Sequence, residues 1–149
     1  KITNPQKWQG YYWVLGEILI AEKSFDEAIS ILREAPRYRM PWLWDVQGII
    51  GYNMISIDSF LAQAYKENGD LDRAIEVYER LTDPNPENRD GRLIRPENYY
   101  YLGELYEKKG QKANAIASYE KFLTLWKDAD MRTAELEDAT DRLAKLKSH

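Results

Sequence analysis

The chain has 149 residues, a net charge of −4 and a pI near 5.2. Charged residues make up 31% and hydrophobic ones 44%, the balance of a soluble globular domain with enough chain for one core. Its acidity argues against a general nucleic-acid binder, and no apolar run reaches the ~20 residues that span a bilayer, so the expectation is a cytoplasmic protein that binds neither nucleic acid nor membrane.

The first residues, Lys1-Ile2-Thr3-Asn4, contain neither a starting Met nor a signal-peptide apolar region, and the expectation is a piece excised from a longer chain. Asn4-Pro5 puts a capping residue before a first-turn proline. Leu15, Ile18 and Leu19 then supply an apolar helical face, and the helix is expected to run to about Lys23. Ser24-x-x-Glu27 reads as a capping box for a second helix ending near Ala35, before Pro36. A second pair is expected over 53–68 and 70–81 with Gly69 at the turn, and a third over 96–109 and 111–126 with Gly110 at the turn. In the last stretch, 131–147, Leu136, Ala139, Leu143 and Leu146 fall at helical spacing among charges. That pattern suits a terminal helix with one covered face.

The pairs repeat. Tyr12-x-x-Leu15-Gly16 with Ala28, Asp58-x-x-Leu61-Ala62 with Ala74, and Tyr99-x-x-Leu102-Gly103 with Ala115 occupy equivalent positions. Only small side chains fit where paired helices approach closely, and a close-packing role offsets the ~1 kcal/mol that a mid-helix glycine costs. Leu15, Leu61, Leu102, Tyr65, Tyr106, Tyr78 and Tyr119 are expected in the core.

This pattern resembles the tetratricopeptide repeat, whose signature is W-x2-L-G-x2-Y … A-x3-F … P. The resemblance covers about residues 9–130 and implies an all-α fold, a right-handed α-solenoid of three helix hairpins with a C-terminal capping helix. The repeats fall at about 9–36, 55–88 and 96–129, and the cap at about 131–147, within a single domain. Ala28 and Ala74 lie 46 residues apart, and Ala74 and Ala115 lie 41 apart. Against a family period of about 34, roughly 12 and 7 residues are inserted, at about 37–54 and 89–95. Tyr12, Asp58 and Tyr99 replace the signature tryptophan. Pro86 keeps the closing proline once, and Lys127 replaces it in the third copy. The run 119–130, the Arg142-Leu143-Ala144 ending and Gly91–Pro96 are similar to repeat segments of large bacterial multidomain regulatory proteins. There the repeats accompany a kinase or DNA-binding module, and the resemblance implies an accessory role.

In that family, ligands lie along the first helix of each hairpin. The groove positions map onto Trp13, Glu17 and Ile20, onto Ser59, Gln63 and Lys66, and onto Tyr100, Glu104 and Glu107. Exposed Trp13 and Tyr100 beside Glu17 and Glu104 make an aromatic, acidic groove for a protein or peptide segment with apolar anchors and basic residues. The alternative is that both aromatics pack against the N-terminal turn or an inserted loop. The carboxylate clamp of cochaperones needs Lys, Asn, Asn, Lys and Arg where this chain has Trp13, Glu17, Phe60, Glu97 and Tyr101; like charge repels an acidic tail, and that activity is excluded.

Two further candidates are partner contacts. The insertion at 37–54 is too apolar for an ordinary loop: Trp42 and Trp44 either fold back into the solenoid or meet a partner, in self-association or interdomain docking through 38–52. Arg37, Arg39, Arg92 and Arg95, with Arg89, are expected on one edge of the solenoid, either pairing a carboxylate or phosphate group or salt-bridged to nearby acids. Enzyme signatures are missing: the chain has no cysteine, its one histidine is His149, and no Walker A, G-x-S-x-G or H-E-x-x-H motif occurs. The expectation is a non-catalytic interaction module without metal or cofactor.

Overall fold

The computed structural model describes residues 9–35, 57–85, 87, 94–127 and 133–148. The described residues form seven helices and no strand: α1 (Gln9–Ala21), α2 (Phe25–Glu34), α3 (Ile57–Glu67), α4 (Leu71–Thr82), α5 (Glu97–Lys108), α6 (Lys112–Trp126) and α7 (Ala134–Ser148). They pack in chain order as three hairpins, α1 on α2, α3 on α4 and α5 on α6. Each second helix then packs on the next hairpin's first, and α7 closes against α6. This is an α-solenoid of helix hairpins, the fold the repeat pattern implies.

Close approach at the small residues sets the hairpins. Ala28, Ala62, Ala74 and Ala115 are fully buried. A Cβ on Gly16 would lie 2.5 Å from Leu32 Cδ2, and one on Gly103 would lie 2.5 Å from Tyr119 Cε1. The glycines therefore let Leu32 and Tyr119 lie directly against the facing helix backbone. Leu61, Tyr65, Tyr78, Leu102, Tyr106 and Tyr119 are buried as expected, and Leu15 is half-buried against them.

The turns repeat to the level of single hydrogen bonds. The N–H groups of Ser24, Asp70 and Gln111 donate to Leu19, Tyr65 and Tyr106 carbonyls at 2.8, 2.9 and 2.8 Å. Those of Lys23, Gly69 and Gly110 donate to Ile20, Lys66 and Glu107 carbonyls at 3.0, 3.2 and 3.0 Å. This is the paired closure of a Schellman C-terminus, with one residue in the left-handed region. Gly69 (φ +83) and Gly110 (φ +70) supply it, but in the first hairpin Lys23 holds φ 61. The capping box expected at Ser24 is not formed: its hydroxyl makes no capping bond. In the equivalent turn the longer Asp70 carboxylate reaches the Arg73 N–H at 3.2 Å.

Polar ties between hairpins also recur. The Asn68 Nδ2 donates to Asp26 at 3.0 Å, and one repeat later Lys109 meets Asp72. The insertion at 37–54, with Arg37, Arg39, Trp42 and Trp44, lies outside the described residues, as do Arg89 and Arg92 and the Asn4-Pro5 start.

Lys23 spends conformational energy that glycine does not, since a left-handed L-residue costs about 1–2 kcal/mol. Part of the gain from removing it is lost to the unfolded-state entropy of glycine. Lys23→Gly is expected to raise unfolding stability by about 0.5–1 kcal/mol, and Gly110→Ala to lower it by at least as much. Urea denaturation followed by circular dichroism checks both signs.

Candidate functional site

The first helices of the hairpins, α1, α3 and α5, share one face, on which the expected groove positions sit. In α1, Trp13 is half-buried with its ring 6.2 Å from that of Phe60, and its Nε1 is buried without a hydrogen-bond partner. Glu17 is exposed, and Ile20 packs half-buried against the core. In α3, Ser59 is half-buried and its Oγ has no hydrogen-bond partner, while Gln63 is exposed. The Lys66 ammonium lies 3.0 Å from Glu104 and 4.8 Å from the Tyr101 ring centroid.

The third hairpin departs from expectation. Tyr100 is not an exposed groove aromatic. Only 9% of it is exposed, its ring packs on Tyr119 and Phe122, and its hydroxyl donates to Asp138 of α7 at 2.8 Å. The ring is covered by α6 of its own hairpin, and α7 supplies polar partners at this end of the face. Arg142 lies 3.0 Å from Glu107, 2.5 Å from Asp138 and 3.9 Å from Glu104. Glu107 also accepts from the Tyr119 hydroxyl at 2.9 Å. The expected acidic groove is thus corrected: Glu104 and Glu107 are answered by Lys66 and Arg142, because half-buried carboxylates need partners to offset lost hydration. Trp13 packs on Phe60, so neither aromatic stands free in a groove.

Among the described residues, a pocket of about 170 Å³ lies between α3 and α5. Ser59, Phe60, Gln63 and Lys66 line one side; Arg95, Glu97, Asn98 and Tyr101 line the other, with Tyr78 of α4 as part of the wall. Its position has a simple origin. Trp13, Ser59 and Tyr100 are equivalent residues of successive hairpins, offset by the same 46 and 41 residues as the buried alanines. Two are large aromatics that fill the space beside the next helix. Ser59 is small and leaves it empty, with its hydroxyl unpartnered. Glu97 Oε2 is a second buried oxygen without a hydrogen bond, and Arg95 stands 3.8 Å from that carboxylate. Arg95 is exposed, so this is a local ion pair of small energy. The signal for the pocket was present in the repeat alignment as one small residue in an aromatic column. Phe60, Glu97 and Tyr101 had been met there only as failed clamp positions, and Asn98 not at all.

Burial shifts the tyrosines. The Tyr78 hydroxyl is pushed well above its ordinary range by desolvation, with like charge from Tyr101, Glu104 and Glu67 adding to it. Tyr100, Tyr106 and Tyr119 are raised by burial and by donating to Asp138, Glu79 and Glu107. For Asp138, burial pushes the carboxyl up, but hydrogen bonds from Arg142 and Tyr100 outweigh it and hold it below the ordinary value. Among the described residues no group of His, Asp or Glu is arranged to hold a metal ion, and no helix is long and apolar enough to cross a membrane.

Residues 61–130 match a family model described as tetratricopeptide repeat, and residues 10–35 match a second model of the same description. Photosystem I assembly protein Ycf3 of Rippkaea orientalis (strain PCC 8801 / RF-1) is 30% identical over 114 residues, which are 76% of this chain. They are 57% of the relative, so the chain spans little more than half the length of the curated protein it matches.

Two predictions follow from the ionic end of this face. Arg142→Ala is expected to weaken α7 docking by about 1 kcal/mol, since the guanidinium is partly solvent-screened; amide hydrogen exchange checks it, with α7 losing protection before the other helices. The pH dependence has two signs. Asp138, lowered in the fold, contributes stability above the ordinary carboxylate range that is lost as pH falls through its folded value. The raised tyrosines contribute stability that is complete below about pH 10 and is lost as pH rises further. Tyrosinate absorbance from these four is expected to appear together with loss of helix, not before it.

Proposed function

The chain belongs to the tetratricopeptide repeat family, and on that premise we propose that it is a non-catalytic protein-interaction module. Its pocket between α3 and α5 takes a side chain of a partner segment lying along the inner face. The gap at Ser59 carries this reading: it is the place where the aromatic column is interrupted, and unpartnered oxygens meet aromatic walls there. A small mixed pocket of this kind suits one anchor side chain and one or two directed hydrogen bonds. Phe60, Tyr78 and Tyr101 offer apolar surface to the anchor, while Ser59, Gln63 and Asn98 offer neutral donors and acceptors.

The partner's chemistry changes with the ion pairs. Because Glu104 and Glu107 are matched by Lys66 and Arg142, selection for basic residues gives way to selection by shape and hydrogen bonding. Glu17, exposed at the α1 end, is left as the acidic contact of the expected groove.

Repeat families of this kind join proteins, and the relative's printed name, an assembly protein, agrees with such a role. We place the module as an accessory domain of a larger bacterial protein. Support comes from the likeness of 119–130 to repeat segments of such proteins and from the bacterial source of the relative.

Filling the gap tests the reading. Ser59→Trp gives α3 the aromatic type that α1 carries at the same position. Peptides selected from a display library on the wild type are expected to lose at least about tenfold in affinity for this variant, about 1.4 kcal/mol. Thermal stability is expected to be unchanged or raised. Undiminished binding to a folded Ser59→Trp protein would sink the pocket assignment.

A further inference from the structure

Three contacts across the inner face share one register, with partners 38 residues apart. Lys66 reaches Glu104 at 3.0 Å between α3 and α5, and Tyr100 reaches Asp138 at 2.8 Å between α5 and α7. Arg142 of α7 stands 3.9 Å from Glu104 of α5 in the same way. At the joint of α5 and α7, a phenol thus meets a carboxylate. The Tyr100 ring lies against Tyr101, Tyr119 and Phe122, and its hydroxyl donates to Asp138.

Ser59 and Glu97 are the pair of that register at the joint of α3 and α5, 38 residues apart and two turns before Lys66 and Glu104. Ser59 is the equivalent of Tyr100, so here the carboxylate is present and the phenol is missing. The Glu97 Oε2 and the Ser59 Oγ are both buried, with no hydrogen-bond partner among the described residues. Both residues line the pocket of about 170 Å³, whose wall keeps the rings of Phe60, Tyr78 and Tyr101.

We propose that the partner segment supplies the missing group as a tyrosine side chain. This rests on the reading of the pocket as an anchor site and adds the identity of the anchor. The phenol ring lies among the three aromatic walls, and its hydroxyl donates to Glu97 and accepts from Ser59. The size suits a ring, since a cavity of about 150 Å³ takes benzene. Hydrogen-bond chemistry selects the phenol among rings. An ionised carboxylate only accepts, a serine hydroxyl can donate, and a phenol oxygen does both, so one group answers both orphans. An indole N–H answers Glu97 and leaves Ser59 alone; a phenylalanine ring answers neither. Charge disfavours the remaining anchors. Lys66 and Arg95 already stand at this pocket, beside Glu104 and Glu97, so a partner's lysine or arginine enters against its own sign. An aspartate or glutamate brings no donor for Glu97. A glutamine brings the donor but no ring for the walls.

Peptides selected on the wild type from a display library are the probe. They are expected to share a tyrosine. Replacing that tyrosine by phenylalanine is expected to lower affinity at least about tenfold on the wild type and by less than about twofold on Glu97→Ala, because the discrimination comes from a buried group left unpaired. A second measurement needs no partner. Ser59→Tyr puts the phenol into the joint from the protein's own chain, and it is expected to melt above Ser59→Phe, with the difference lost when Glu97→Ala is added. A selected set without a tyrosine, equal affinity of the tyrosine and phenylalanine peptides, or equal melting of Ser59→Tyr and Ser59→Phe overturns the proposal. So does a gain in peptide affinity on Tyr38→Phe/Tyr52→Phe, which gives the pocket to the chain's own insertion. The two readings fail separately. Binding lost in Ser59→Trp with tyrosine-free peptides removes the tyrosine and keeps the pocket, whereas undiminished binding by Ser59→Trp removes the pocket itself.

Discussion

Leu32 and Tyr119 lie against bare helix backbone at Gly16 and Gly103, and Ala62 meets its partner helix with no more than a methyl group. That contact fixes how near two helices of a hairpin come, and the rest of the solenoid follows from it. Near approach leaves only a short turn between the helices, and a short turn needs one left-handed residue. The same two carbonyl closures then appear three times, even where the residue is a lysine. A fixed hairpin thickness in turn stacks the first helices on one side. A glycine gives up about 1 kcal/mol of helix stability, and a buried tyrosine ring in dispersion contact with the opposing backbone returns more than that.

Charge on the inner face is arranged by the same economy. Glu104 sits between Lys66 of the preceding first helix and Arg142 of the last helix, so one carboxylate is shared across three elements. Such pairs contribute modestly when solvent reaches them. Their larger effect is positional, since a half-buried carboxylate left alone is costly. Lys66 is held over Tyr101, and Arg142 is held over the end of α5.

The hairpins, their turns and nearly all of the core were legible in the sequence, because small residues and aromatics at fixed offsets leave few other ways to pack. The site was legible only in part. Assigning Tyr100 to an open groove placed it clear of the capping helix expected after the third hairpin, whereas its ring packs on Tyr119 and Phe122 of α6 and its hydroxyl donates to Asp138 of α7. Asp138 and Arg142, four residues apart in a charged helix, carry no mark in the sequence that separates an inward pair from a solvated one. The acidic reading of Glu104 and Glu107 failed for the same reason: composition counts charges, but only three-dimensional neighbours decide which are neutralised. Ser24, placed correctly as a cap residue, makes no capping bond, whereas Asp70 in the equivalent turn does.

Comparing equivalent positions across the three hairpins yields what no single residue does. In the column Trp13, Ser59, Tyr100, the departure is a missing side chain, and the consequence is an empty pocket at the second joint. In the columns headed by Tyr11 and Ile18, the side chains are exposed in α1, where their equivalents in α3 and α5 are buried. The first kind of departure leaves space that a small group fills. The second leaves apolar side chains of α1 exposed. A regular array presents neither, because every joint is satisfied by its neighbour in the same way. The two departures differ in size and polarity, one a small mixed pocket and the other a strip of exposed apolar side chains.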